Sequence, residues 1–278
     1  MTGMGIKALV SVDMEGIAGV VHPAEINPER YEYDRCRRLM TGAANAAVEG
    51  IIDADPAAEV LVADSHGPYR NILPEDLDRR ARLVRGKPRQ LGMLAGLQGG
   101  VEVALFVGYH GRAGAGGAVL AHTISDAVLD IRIHGRSHGE IGINTLLAGS
   151  YGVPVVLVSG DDAACEEFAD LAPGAVTVPV KRGLGQHAAD TLHPEEARDR
   201  LREGTARAIR RRTGEPPVSV PQPVEVEVDL HQPRGADLAV LIPGVSRKGG
   251  RTLTFTAQTM TAAYEVIQLI VLLAQTPS

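Results

Sequence analysis

Four short apolar runs, each followed at once by a group of polar residues, constrain the fold more than any other feature of the chain. They occupy residues 6–12, 59–63, 103–107 and 153–158. Runs of this length that are rich in β-branched residues and bounded by glycine are typical of strands buried on both faces of a sheet. The four runs therefore predict an internal sheet that is at least partly parallel.

The segments between these runs have the composition and spacing of helices. Residues 31–52 carry apolar or small side chains close to helical spacing, and residues 140–151 and 195–212 end near glycine and proline. Because strands alternate with helices along the chain, we predict an α/β fold with a mixed, largely parallel sheet flanked by helices.

The pattern changes in the last quarter of the chain. Residues 224–230 alternate strictly between apolar and acidic side chains, which predicts a strand with one solvated face. A further strand is predicted at residues 252–257 and a final helix at residues 260–273. We therefore divide the chain into an α/β domain, residues 1–215, which holds the site residues, and a smaller β-rich C-terminal region, residues 216–278, ending in a helix.

Charge and composition argue against a nucleic-acid partner. The formal net charge is −6, so the chain offers no general attraction to a polyanion. Aromatic residues make up only 3% of the chain, which leaves few platforms for stacking unpaired bases. The four arginines within residues 207–212 fit a solvated helix face better than a nucleic-acid patch.

The cysteines and the apolar segments predict a cytoplasmic protein without a membrane partner. Cys36 and Cys165 are too few and too far apart for a disulfide framework. The first apolar run has no charged segment before it and is too short for a signal peptide. The longest apolar run near the C-terminus, residues 266–274, is far shorter than the roughly 20 residues that a membrane span needs.

Acidic and imidazole side chains directly follow three of the predicted strands. Asp13 and Glu15 follow the first strand, His66 the second and His110 the third. In open α/β sheets, ligands bind beyond the carboxyl ends of the strands, so these side chains are expected in one crevice. Asp13 and Glu15 point to the same side of an extended segment, where their charges repel unless a cation or a proton lies between them.

Carboxylates combined with imidazoles suit zinc or another transition metal better than calcium or magnesium, which prefer oxygen ligands. A carboxylate can also bridge two ions about 3.5–4 Å apart, as in two-metal hydrolases. From the residues alone, a metal-free arrangement of polar strand ends stays open as the alternative. Asp161 and Asp162 follow the fourth strand, and we expect this pair to cap the next helix rather than to line the crevice.

Several motifs, in order along nearly the whole chain, resemble the zinc D-aminopeptidase family encoded with bacterial dipeptide-transport operons. The matching segments are Ser11-Val12-Asp13-Met14-Glu15-Gly16, Asp64-Ser65-His66, Gly108-Tyr109-His110, Gly139-Glu140-Ile141-Gly142-Ile143-Asn144, Gly160-Asp161-Asp162 and Leu241-Ile242-Pro243-Gly244. The resemblance implies a dinuclear zinc site in which Asp13 bridges both ions. It assigns Glu15 and His66 to one ion, and His110 and Glu140 to the other.

The resemblance also implies a reaction and an assembly. The family has a histidine placed for catalysis shortly after its Gly-Tyr-His segment, and the matching residue here is His122. The implied enzyme is a di-zinc aminopeptidase that releases N-terminal residues, D-amino acids in particular, from short peptides or amino-acid amides by attack of a metal-bound hydroxide. Because the family forms large homo-oligomers, a homo-oligomer such as a large ring is expected.

Two other functions are compatible with the same motifs. The chain could be a metal-dependent hydrolase of another amide bond, or a non-catalytic metal-binding assembly protein. Turnover of D- and L-aminoacyl amides and dipeptides separates a peptidase from the first alternative. Bound zinc without any turnover would identify the second.

Overall fold

The computed structural model describes residues 5–276, and the first four and last two residues, which include the ends of both predicted regions, lie outside the described part. The strands are β1 (Lys7–Val12), β2 (Glu59–Asp64), β3 (Ala81–Val84), β4 (Val103–Tyr109), β5 (Val128–Ile133), β6 (Arg136–Ser137), β7 (Val155–Asp161), β8 (Val176–Gly185), β9 (Ala188–Thr191), β10 (Val224–Leu230), β11 (Ser246–Arg247) and β12 (Thr252–Ala257). The α-helices are α1 (Pro23–Ile26), α2 (Tyr33–Ala54), α3 (Glu140–Ser150), α4 (Asp162–Ala169), α5 (Pro194–Arg211), α6 (Pro233–Ala239) and α7 (Met260–Ala274).

These strands form two sheets. The first has seven strands in the order β3-β2-β1-β4-β7-β8-β9, and all neighbours are parallel except β8 and β9. The second has five antiparallel strands in the order β11-β12-β10-β5-β6. The predicted α/β fold with a mixed, largely parallel sheet is confirmed.

Two apolar cores hold the layers together. One lies between one face of the seven-stranded sheet and helices α2 and α5. The other lies between the opposite face, helices α3 and α7, and the second sheet. The central parallel strands are thus covered on both faces, which explains why their sequences read as continuous apolar runs rather than as alternating patterns.

The strands that the sequence did not predict lie away from the centre of the first sheet. Strands β5 and β6 precede α3 in the chain, yet β5 pairs with β10 and completes the second sheet. The second sheet therefore takes strands from both proposed regions, residues 1–215 and 216–278, and the boundary between them stays a prediction. Within residues 5–276, no helix is both long enough and apolar enough to cross a membrane.

Arg132 joins three carboxylates on one face of the second sheet. Its guanidinium lies 2.7 Å from Asp130, 2.9 Å from Glu227 and 2.8 Å from Asp229. The hydrogen bond that Arg132 donates to Asp229 holds the pKa of that carboxyl group below its ordinary value. A carboxyl group whose pKa is lowered in the folded state adds stability above its unfolded pKa, and that stability is lost as the pH falls.

We predict that Arg132→Leu destabilises the protein by about 2 kcal/mol at pH 7, because it leaves three neighbouring carboxylates without their shared donor. The loss should shrink as the pH falls below about 4, because the stability that the lowered pKa values of Glu227 and Asp229 provide is lost there. Urea unfolding at pH 7 and pH 3.5 measures both effects. The control is Arg200→Leu, which removes an exposed ion pair with Glu196 and should cost about 0.5 kcal/mol or less. An equal loss for both variants would contradict the prediction.

Candidate metal centre

The candidate site lies where the chain connections of the first sheet diverge. From β1 the chain crosses to β2 on one side, whereas β4, the other neighbour of β1, leads to β7 on the opposite side. Such a switch point leaves a crevice at the carboxyl ends of the strands. Asp13 follows β1, His66 comes two residues after β2, and His110 follows β4. The structure brings these three strand ends together, as the sequence predicted.

Backbone contacts between the segments after β1 and β4 fix this edge. The Asp13 N–H donates to the Val107 carbonyl at 2.8 Å, and the Gly16 N–H donates to the Gly108 carbonyl at 2.7 Å. A Cβ atom on Gly16 would lie only 1.8 Å from the Tyr109 carbonyl oxygen, so no larger residue fits there. Gly108 has a φ of +72° and would likewise collide with the Asp13 carbonyl.

The first group of side chains consists of Asp13, Glu15 and His66. His66 Nδ1 lies 2.9 Å from Glu15 Oε2 and 3.3 Å from Asp13 Oδ1. All three residues are buried. One ligand atom from each lies within 4.8 Å of the other two, which is close enough for a single metal ion to contact all three.

The second group consists of His110, His122 and Glu140. One ligand atom from each again lies within 4.8 Å of the other two. Glu140 Oε1 lies 3.4 Å from His110 Nε2 and 3.6 Å from His122 Nε2. The two imidazole rings stack with their centroids 4.2 Å apart. Glu140 is the first residue of α3, where the positive end of the helix dipole favours a carboxylate.

Each histidine has a backbone carbonyl next to the ring nitrogen that faces away from the carboxylates. His66 Nε2 lies 2.9 Å from the Ile26 oxygen, His110 Nδ1 3.0 Å from the Gly111 oxygen, and His122 Nδ1 2.8 Å from the Leu120 oxygen. In the neutral ring, the nitrogen beside the carbonyl carries the proton and donates it. The other nitrogen then offers its lone pair to the centre, which is how proteins orient metal-binding histidines.

Burial and opposite charges set the pKa values of the metal-free centre. Burial raises the pKa of Asp13, and the Glu15 carboxylate raises it further. Burial alone would lower the pKa of His66, but Glu15 and Asp13 together hold it well above its ordinary value. The pKa of His110 is raised in the same way, chiefly by Glu140 against the opposing effect of burial. Without a metal, protons on these histidines therefore balance part of the negative charge.

The donor set fits a divalent transition metal. Asp13, Glu15 and Glu140 expose only 2%, 3% and 5% of their surfaces, so three negative charges are held in one buried place. Within residues 5–276, His110 Nε2 has no hydrogen-bond partner although it is buried. A buried imidazole nitrogen without a partner, facing carboxylates, is the arrangement expected of a zinc ligand.

Comparison with known proteins agrees with this chemistry. A family model for D-aminopeptidases, peptidase family M55, matches residues 6–269. The chain belongs to this family. The D-aminopeptidase of Bacillus subtilis strain 168 is 34% identical to it over 274 residues, which cover 98% of this chain and 99% of the relative. The solved structure of the Zn-dependent D-aminopeptidase DppA from Bacillus subtilis, described as a self-compartmentalizing protease, has a TM-score of 0.95 at 34% identity and covers 98% of this chain and 99% of its own.

In this member of the M55 family, an open cleft of about 950 Å³ leads to the centre. The site residues that line this cleft are Asp13, Glu15, His66, His122 and Glu140. The segment after β3 forms one wall, and helix α7 contributes another through residues that include Tyr264, Gln268 and Leu272. No sequence pattern places α7 at the site, although its exposed leucines show that the apolar face of this helix is incompletely covered.

Arg89 also lines the cleft, and the sequence alone did not predict its role. Its guanidinium donates to the carbonyl oxygens of Asp64, Val84 and Gly92 and lies 4.1 Å from the centre of the Tyr69 ring. These contacts tie the cleft wall to the end of β2. An isolated arginine in a loop carries no sequence signal of such a role, because the carbonyls that it binds are brought together only by the fold.

The other acidic residues near the strand ends bind the backbone. Asp64 accepts hydrogen bonds from the N–H groups of Asn71 and Ile72 and so shapes the loop after β2. Asp161 caps α4 by accepting from the Ala164 N–H, which confirms the predicted cap. Its other oxygen accepts from the Val119 N–H at 2.7 Å and thereby helps to hold the loop that carries His122.

We predict that zinc binding to the metal-free protein at pH 7 releases protons. The raised pKa values of His66 and His110 favour their protonated forms in the metal-free centre, whereas a zinc-bound imidazole must be neutral. Zinc affinity should therefore fall as the pH is lowered. Calorimetric titration in two buffers of different ionisation enthalpy measures the protons released, and His110→Ala should release fewer. Equal heats in both buffers would contradict the prediction.

Proposed function

We propose that this chain is a zinc-dependent aminopeptidase that removes N-terminal residues from short peptides or amino-acid amides, with a preference for D-amino acids. The observation that carries the proposal is the pair of side-chain groups in which each histidine turns one ring nitrogen to a backbone carbonyl and the other to a carboxylate-rich centre. Membership of the D-aminopeptidase family and the zinc dependence of the Bacillus subtilis enzyme support the metal and the reaction.

Two zinc ions per subunit would share Asp13. Its Oδ1 faces His66 at 3.3 Å, whereas its Oδ2 faces His110 at 3.5 Å, so its two oxygens address different groups. Glu15 and His66 would complete one position, and His110 and Glu140 the other. When bound, zinc supplies a Lewis acid that lowers the pKa of water and polarises a carbonyl group.

His122 is proposed as the catalytic residue rather than as a metal ligand. Its side chain is 19% exposed to the cleft, compared with 1% for His110 and 9% for His66, so it can reach a substrate. Its Nδ1–H is fixed by the Leu120 carbonyl, which leaves Nε2 to hold or transfer a proton or, when protonated, to stabilise an oxyanion. The backbone on both sides is unusual, with positive φ angles at Leu120 and Ile124.

The remaining parts of the proposal concern location and assembly. We propose a cytoplasmic enzyme, since free buried cysteines are typical of a reducing compartment. We also propose a homo-oligomer, since the Bacillus subtilis structure is described as self-compartmentalizing. Such an assembly would restrict access to the cleft, so that short peptides are its natural substrates.

We predict that His122→Ala lowers kcat by about 10²–10⁴-fold while the subunit keeps two zinc ions, because the variant loses proton transfer and not a ligand. Matched pairs of D- and L-aminoacyl amides and dipeptides measure turnover and selectivity, and elemental analysis counts the zinc. His134→Ala, an exposed histidine outside the cleft, is the control. Loss of one zinc ion in His122→Ala would instead make His122 a ligand.

The same panel tests the activity itself. We expect hydrolysis of the D-substrates, loss of activity after zinc is removed with a chelator, and recovery when zinc is returned. Activity that survives complete zinc removal would refute the mechanism. Bound zinc without turnover of any substrate would favour a metal-binding assembly protein.

A further inference from the structure

A buried lysine outside the predicted site lies directly beneath the segment that carries two of the proposed ligands. Lys181 is in β8 and exposes only 3% of its surface. Its Nζ donates to three main-chain carbonyls, those of Glu15, Ile17 and Val20, the last at 2.6 Å. The ammonium group thus binds three carbonyls within six residues of the chain.

The chemistry of this contact is specific. A buried ammonium is costly unless its three N–H donors are all used, and here three carbonyl oxygens match three donors. Among the described residues, no carboxylate forms an ion pair with Lys181, so main-chain oxygens are its direct partners. The segment also has few internal bonds, such as those from the Ile17 N–H to Met14 and from the Val20 N–H to Ile17.

The Lys181 contact affects the proposed ligands because it holds the backbone of Glu15, whose side chain is one of them. Its carbonyl accepts from Lys181, while its carboxylate lies 2.9 Å from His66. On the other side, the Asp13 and Gly16 N–H groups donate to the Val107 and Gly108 carbonyls of β4. The ligand-bearing segment, residues 13–20, is therefore held between β4 and the buried ammonium from β8.

The hairpin that contains Lys181 also supports the loop of the proposed catalytic histidine. The Leu120 N–H donates to the Gln186 carbonyl at 2.8 Å, and the Gln186 side chain donates to the Ala121 carbonyl at 3.1 Å. Gly183 packs so closely on the Gly117 carbonyl that a Cβ atom would lie 1.6 Å from that oxygen. The β8–β9 hairpin thus contacts both segments that form the site.

We propose that Lys181 is a positioning residue, whose ammonium group fixes residues 13–20 so that Asp13 and Glu15 present their carboxylates in a metal-ready arrangement. The inference rests on the proposed zinc centre. Lys181 has no contact with substrate or metal in this role and acts only through the backbone of the ligand segment.

The test compares Lys181→Met with wild type, Lys7→Met and Val226→Ala. Lys7→Met removes an exposed ammonium from the same sheet, and Val226→Ala removes buried volume from the second sheet. Zinc affinity, zinc stoichiometry, kcat and KM are measured for each variant. Hydrogen exchange of metal-free protein reports directly on residues 13–20. If Lys181→Met does not fold, Lys181→Gln, which keeps two N–H donors, takes its place.

We expect Lys181→Met to bind zinc about 10–100-fold more weakly than wild type, with faster exchange of residues 13–20 and activity that recovers at saturating zinc. Both controls should keep wild-type zinc affinity, even where Val226→Ala lowers the melting temperature. Wild-type zinc affinity together with unchanged exchange in Lys181→Met would overturn the role of Lys181. If wild type itself binds no zinc, the proposed function fails, and the exchange measurement alone decides whether Lys181 fixes the segment.

Discussion

Three carboxylates buried together at the edge of a parallel sheet are the constraint on which the rest of this structure depends. Asp13, Glu15 and Glu140 are almost completely removed from water. Their mutual repulsion is therefore only weakly screened. Such a group is stable only with positive charge in its midst. Protons on His66 and His110 supply it in the metal-free protein, and zinc is the ligand that suits the same atoms better.

The fold meets this constraint by placing every member of the centre on a well-anchored segment. Asp13 and His110 leave adjacent strands of a sheet that is covered on both faces, and Glu140 begins a buried helix. Outside the centre, the carboxylate of Glu167 in α4 accepts hydrogen bonds from the N–H groups of Arg112 and Gly139. These two residues flank His110 and Glu140, so the loop after β4 and the start of α3 are joined to one helix.

The sequence predicted the central sheet and much of the site because both depend on local patterns. Continuous apolar runs identify strands buried on two faces, and parallel strands place their following residues at one edge. Asp13, His66 and His110 could therefore be grouped from the sequence. Glu140 follows no predicted strand, so the family resemblance was needed to include it. Its place beside His110 depends on a loop and a short hairpin that separate α3 from β4.

Other features were not predictable because distant parts of the chain create them. Lys181 reads in sequence as an ordinary lysine after a valine, and only the approach of β8 to residues 15–20 buries it. The same holds for Arg89, whose three carbonyl partners come from separate segments. The second sheet was incompletely predicted because the pairing of β5 with β10 joins strands roughly a third of the chain apart.

The most direct test of the two-zinc centre is a crystal structure of the zinc-loaded protein with anomalous diffraction recorded at the zinc edge. We predict two anomalous peaks per subunit, about 3.5–4 Å apart, with Asp13 between them. Glu15 and His66 should contact one peak, and His110 and Glu140 the other. A single peak, or peaks bound by other residues, would contradict the two-zinc centre proposed for this enzyme.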